Sequence, residues 1–246
     1  MKLYLHYFVF IFLVGSIQLS RTQPSADLAG IITYKYKPNM LENNDVGLNG
    51  IFNELDKQAE NISFSLIFKG FESFFEVEGS MENDYAPIAM SYANAIISKG
   101  KYYTNLQENE VVREFETLGE KFLISSEISI SSDWVLTKET KKIGNFLCFK
   151  ALKQKTIENS IKKTDFEIIA WYTPELPVRF GPRDYNGLPG LILELTDTHF
   201  TFYVEKVQIL NEKTVEMKRI KGKSLSYDEY QRKIQSFTGK INISKN

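Results

Sequence analysis

The chain has 246 residues, with 30 basic and 31 acidic side chains and a formal charge of −1. Near-neutrality, with lysine and glutamate mixed along the chain, gives no electrostatic footprint for nucleic acid. A single cysteine excludes an internal disulfide framework, so the chain must hold itself together by its core.

Lys2 precedes an apolar run from Leu3 to Val14, and the small or polar residues Gly15, Ser16, Ser20 and Thr22 follow it. A basic start, a short apolar core and a small-residue end describe a secretory signal peptide. The run is shorter than the ~20 residues of a membrane-spanning helix. Residues 1–22 are therefore expected to be a leader cut after Thr22. Residues 23–246 are expected to form one periplasmic or secreted domain with no transmembrane segment. Losing Lys2 and Arg21 takes the formal charge from −1 to −3. An exported domain without bridges fits a bacterial envelope better than a eukaryotic exterior.

Ile31 to Tyr36 reads as an opening strand that Pro38 ends. Ile51, Phe52, Leu55 and Ala59 fall at helical spacing and predict a helix over 48–59. Phe64, Leu66 and Phe68 alternate with polar neighbours, as do Phe75 and Val77, which gives two strands. Met81 to Ile97 is ambiguous, and Pro87 argues against one continuous helix. Strands are expected from Tyr102, over Val111–Leu118, over Phe122–Ile130 and over Phe146–Leu152. Phe166–Tyr172 is apolar on both faces and belongs inside a sheet. Strands at Leu191–Leu195, His199–Leu210 and Thr214–Ile220 follow. Phe200, Phe202 and Val204 hold one phase and Val207 and Ile209 the other, which places a bulge near Glu205-Lys206. Ser226 and Glu229 form a capping box for a short C-terminal helix from Tyr227 to about Gln235. The pattern is mainly β with minor α: a single curved antiparallel sheet or half-barrel. By analogy alone it resembles periplasmic lipoprotein-carrier folds.

Between Thr173 and Pro189 lie Pro174, Pro177, Pro182 and Pro189, each fixing its own φ and restraining its predecessor. The connection is stiff, and it is longer than loops without a role usually are. Leu188-Pro189-Gly190-Leu191 fits a type II turn with Gly190 at positive φ, so Gly187, Pro189 and Gly190 are the structural turn. The bland reading is a belt closing one end of the sheet. The functional reading is a binding edge of Trp171, Tyr172, Glu175, Arg179, Arg183, Asp184 and Tyr185, with Arg183 and Tyr185 on the exposed part.

Gly187-Leu188-Pro189-Gly190-Leu191-Ile192 resembles the signature of the GLPGLI family, exported bacterial proteins without an assigned activity. Upstream, Trp134, Lys142-Ile143-Gly144, Cys148, Lys150-Ala151, Ala170-Trp171-Tyr172-Thr173, Pro177 and Gly181-Pro182 resemble the family in order, over roughly 130–200. Gly30 to Tyr34 resembles its first strand. The resemblance implies location and fold, and it supplies no catalytic residues.

The chemistry itself is sparse. With His6 in the leader, His199 is the one histidine of the mature chain, placed in a turn after Thr196-Asp197-Thr198. It has no G-x-S-x-G partner. Cys148, among Phe146, Leu147 and Phe149, reads as a core thiol. Four Cys or His ligands for zinc are lacking, and Glu42-Asn43-Asn44-Asp45 lacks calcium-loop spacing, so no metal or cofactor is expected. The aromatic content, 18 Phe and 13 Tyr, is mostly core, though a concave sheet lined with rings would also suit an acyl chain or peptide. The leading expectation is a non-enzymatic binding or accessory protein for an envelope protein, peptide or lipid. The alternative is a hydrolase using Glu175, Asp184 and Glu194 in a cleft beside the loop.

Overall fold

Ile32, Tyr34 and Tyr36 are buried, while Ile31, Thr33 and Lys35 between them keep part of their surface in water. That period of two makes β1 (Ala29–Pro38) a strand with one dry face. The computed structural model describes residues 28–39, 48–78, 87–117, 119–128, 133–158, 163–197, 200–220, 222, 224–230 and 232–233, with backbone alone at 48–53, 87, 117 and 157–158. The expected leader, Ile130 and His199 lie outside these residues. After β1 come α1 (Leu48–Ala59), β2 (Phe64–Lys69), β3 (Glu72–Val77) and α2 (Pro87–Tyr92), which runs on as a π-helical segment (Ala93–Ser98). Then follow β4 (Lys101–Asn105), β5 (Glu110–Thr117), β6 (Glu120–Glu127), β7 (Trp134–Ile143), β8 (Phe146–Glu158), β9 (Lys163–Thr173), β10 (Leu191–Thr196), β11 (Phe200–Leu210) and β12 (Leu225–Ser226). They make one open 12-stranded sheet in the order β12-β6-β5-β4-β3-β2-β1-β11-β10-β9-β8-β7. All its pairings are antiparallel except the short parallel one of β12 with β6. The expected mainly β protein built on a single curved sheet is what the chain forms.

The inner face is a run of paired rings and aliphatic side chains. Tyr34 sits opposite Phe64 and Ile32 opposite Leu66. Leu66 faces Phe75, Phe75 faces Tyr102, and on the other side Tyr36 faces Phe202. Phe202 stands edge-on to Phe64 at 5.0 Å and to Phe75 at 5.7 Å, the arrangement that ring quadrupoles favour. The helices cover this face: Ala59 and Ile62, at the end of α1 and just after it, and Ala89, Ala93 and Ile97 of α2 and its extension join the same core. Pro87 opens α2, the first-turn position where its missing N–H costs nothing. Asp56 of α1 accepts hydrogen bonds from the Tyr36 and Tyr92 hydroxyls, the latter at 2.7 Å, and so ties both helices to β1. The aromatic lining considered above as a ligand surface is therefore taken up by the chain itself, since Tyr34, Phe64, Phe68 and Phe202 are fully buried.

The bulge falls where the phase slip puts it. Thr33 pairs with Lys206 and Tyr34 with Val204, leaving Glu205 as the extra residue. One extra residue lets Phe202 and Val207 share the face of Tyr36 and Ile32. The capping box also forms: the Ser226 hydroxyl accepts from the Glu229 amide at 3.3 Å, and the Glu229 carboxylate takes the Ser226 amide at 2.8 Å. Residues 227–230 and 232–233 are helical, and Tyr230 stands edge-on to Phe115 and Phe122.

Two expectations fail. Thr214–Ile220 is not a strand. After a short 3-10 turn (Glu212–Thr214) it crosses the sheet unpaired, held by Lys218 to Glu76 and Arg219 to Glu72 of β3. Conversely β7 reads as a polar stretch because Lys138, Glu139, Lys141 and Lys142 crowd it. As the last strand of an open sheet it needs few apolar residues.

Cys148 lies in β8 and is 0% exposed. Burial pushes its thiol up to about 11. Since the thiolate is the nucleophile, alkylation of the native protein at pH 8 should lag far behind that of urea-unfolded protein and accelerate only as pH approaches 11. Cys148→Ala should cost ~0.5–3 kcal/mol. Rapid native labelling at pH 8 would show that the thiol is not packed as described.

Candidate functional site: the belt and its charged end

Residues 174–190 join β9 to β10 and lie on the inner face as a belt. Leu176, Val178 and Phe180 are buried at alternate positions, as an extended segment stiffened by Pro174 and Pro177 requires. The Leu191 amide donates to the Leu176 carbonyl and the Ile192 amide to the Phe180 carbonyl, both at 3.0 Å, so the belt is bonded to the start of β10. Phe180 reaches Phe68 of β2, with ring centres 6.5 Å apart. Arg179 and Gly187 close the loop: the Gly187 amide donates to the Arg179 carbonyl at 3.0 Å, and the Arg179 guanidinium to the Gly187 carbonyl at 2.9 Å. Trp134 of β7 donates from Nε1 to the Asn186 carbonyl at 3.1 Å.

At the tip, Pro182–Tyr185 makes a turn closed by the Tyr185 amide on the Pro182 carbonyl at 3.2 Å. Arg183 sits there in the left-handed region at φ 58°, which costs a residue with a β-carbon ~1–2 kcal/mol. Its side chain is only 3% exposed. Nη1 lies 3.3 Å from Asp197 Oδ2, Nη2 donates to the Ile97 carbonyl at the end of the π-helical segment, and the guanidinium lies 4.2 Å from the centre of the Phe200 ring. Asp197 Oδ2 also accepts from the Tyr185 hydroxyl at 2.9 Å and from Lys155 Nζ at 3.3 Å. Burial first, then the charge of Asp197, pushes the Tyr185 phenol well above its ordinary range. Lys99, left-handed at φ 58° where the helix ends, is held below the usual lysine range by partial burial and then by the charges of Arg183 and Lys155.

The sequence-derived binding edge is thus divided. Arg183 and Tyr185, expected to be exposed, are buried, because Asp197 and the helix end offer partners that a single-sequence reading does not reveal. Tyr172 is buried against Phe149, and Trp171 points to the other face beneath Lys141, whose Nζ is 4.4 Å from the ring centre. Glu175 and Asp184 remain exposed. Glu175 accepts from the Leu147 amide at 2.8 Å, and Glu194 pairs with Lys141 at 2.8 Å. Both act on Cys148, whereas Asp184 acts on Tyr102 and Tyr185. Glu175 and Glu194 thus lie near Cys148 but hold separate partners, and Asp184 acts on other groups. Sequence reading missed Lys99, Tyr102, Arg113, Lys155 and Asp197, whose only signal is that polar residues interrupt strands or end turns.

The glycines also need correcting. Gly187 is the one with positive φ, at 95°, and Gly190 is outside that region. Gly190 is required for space: a β-carbon there would lie 2.1 Å from the Thr173 carbonyl oxygen. Gly190→Ala should therefore cost ~1–3 kcal/mol by overpacking, and urea melts would detect it. A variant as stable as the parent would mean that belt and β9 separate easily. Arg183→Ala leaves Asp197 buried without its main counter-charge and should cost about 3 kcal/mol or more. An unchanged melt would remove the pair as a structural element.

A family model described as a protein of unknown function (Porph_ging) matches residues 152–194, the stretch from β8 through the belt into β10. No curated protein matches the chain. Among solved structures it is similar to PNGF-II, with a TM-score of 0.51 and 18% identity over 85% of this chain and 33% of that one. The chain spans about a third of that protein's length, and the likeness is one of fold. The chain is a β-sheet protein sharing a segment with a family to which no function is assigned.

Proposed function

We propose that the chain is an exported, non-enzymatic binding or accessory protein of the bacterial envelope. It meets a protein or peptide partner at the rim where the charged end of the belt surfaces. The observation that carries this is the construction of that end: a strained, buried Arg183 holds Asp184 in solvent on a belt bonded at both margins. Strain of this kind persists where the surroundings over-determine it, and it gathers at sites of function. Beside the rim, Trp134 grips Asn186, and its strand continues with Val135 and Leu136, 64% and 51% exposed. A charged loop next to apolar side chains is the composition of an interaction rim. The buried state of the inner rings speaks against a lipid held within the sheet, and the separate engagements of Glu175 and Glu194 give no support to a hydrolase. Export rests on the pattern of residues 1–22. Membership of the GLPGLI family rests on the residue pattern given above.

A photo-crosslinking side chain at Asp184, expressed in the native cell, should give a discrete adduct in the envelope fraction. The same group at Tyr203, exposed on β11, should give none. The recovered protein should begin after Thr22. Equal adducts at both positions would overturn the rim as the partner surface, and an intact Met1 would overturn export.

A further inference from the structure

The charged end of the belt holds more positive charge than its own architecture uses. The negative end of a helix accounts for two cations. Arg183 donates to the Ile97 carbonyl, and Arg113 of β5 donates from Nε to the Lys99 carbonyl at 2.7 Å. It does not account for Lys99 and Lys155. Lys155, 35% exposed, shares one carboxylate oxygen of Asp197 with both Arg183 and Tyr185. Among the described residues, Lys99, Arg113, Lys155 and Arg183 are set here against Asp184 and Asp197, and Asp197 Oδ2 is already crowded with donors. Arg183 Nε is buried with no partner. Tyr102, paired across the strands with Arg113, adds a buried phenol in the field of Asp184, Arg113 and Arg183. A surplus of donors and positive charge, partly open to water at Lys99 and Lys155, is short of one thing, a negatively charged acceptor.

We propose that this charged end of the belt binds an oxyanion, the carboxylate or phosphate group of a ligand, held by Lys99, Arg113 and Lys155 beside the Arg183–Asp197 pair. The proposal rests on reading the rim as a binding surface, and it names the chemistry which that surface recognises. The anion relieves the repulsion among the cations and gives the two lysines a shared partner. The depressed Lys99 fits this environment, since a charge that burial and like neighbours disfavour regains its ordinary affinity for a proton when an anion arrives.

The test is calorimetric titration of the mature protein at low ionic strength, once with inorganic phosphate and once with acetate. Saturable binding by either is expected; phosphate alone marks a phosphate-bearing ligand, and acetate alone a carboxylate. Lys99→Asn, which tolerates the left-handed backbone, and Lys155→Met, which keeps the apolar stem, should each weaken binding about tenfold or more. Lys37→Gln, on exposed β1 surface, should leave it unchanged. Thermal melts identify folded variants, and either of the two suffices. Failure of both anions to saturate in the millimolar range overturns the oxyanion site, as does binding that neither variant weakens. In both cases the adduct at Asp184 stands or falls separately, because crosslinking does not require an anion.

Discussion

One guanidinium joins three parts of the chain that are far apart in sequence. Arg183 lies on the belt, its acceptor Ile97 sits near the end of the helix on the inner face, and its counter-ion Asp197 directly follows β10. The belt's apolar residues alone would hold it against the sheet, since Leu176, Val178, Phe180 and Leu188 are buried. What they cannot fix is how far along the face it lies, because apolar contact is non-directional. A planar group with fixed donor directions can. Buried ion pairs are often no more stabilising than well-packed apolar replacements, so the contribution of the Arg183–Asp197 pair is to position and not chiefly to stability. The left-handed backbone at Arg183 is the cost of aiming it.

The rest of the architecture follows from an open sheet needing both its inner face and its edges managed. The face is covered by α1, α2 and the belt, with Asp56 and Asp197 as the polar anchors of the helical and belt sides. One edge is shortened to the two residues of β12. The other, β7, carries three lysines, and its register slips between Leu136 and Thr140. Charge and irregularity on an edge strand discourage pairing with other chains. Trp134 draws the start of that edge inward to the belt, so its covered end lies next to the candidate rim.

Much of this was legible in the residues, and the boundary between what was and was not has a physical cause. Helix α1 was legible because Ile51, Leu55 and Ala59 repeat at helical spacing, and the Glu205 bulge because a phase slip is a local count. The capping box of Ser226 and Glu229 involves groups three residues apart. By contrast β7 has the composition of a loop, since only one of its faces and one of its edges meets protein. The burial of Arg183 depends on Asp197 and Ile97, 14 and 86 residues away. Periodicity reports the environment of a segment, whereas ion-pair partners are set by the tertiary fold, so an arginine in a glycine-proline loop reads as surface.

Gly190 shows the same limit from the other side. Proline followed by glycine suggested a turn with positive φ, and the need for glycine was right while its reason was not. The chain enters β10 so close to the Thr173 carbonyl that no side chain fits. This contact, the Leu191–Leu176 bond and the positive φ that Gly187 adopts without a β-carbon together set the entry of the belt into the sheet. Leu188, Leu191 and Ile192 then fill the core. A motif built this way specifies a join between loop and strand, and that requirement holds whatever the protein binds. The chemistry of recognition has to come from residues the join leaves at the surface: Glu175 and Asp184 on the belt, and at its charged end Lys99 and Lys155 around Asp197.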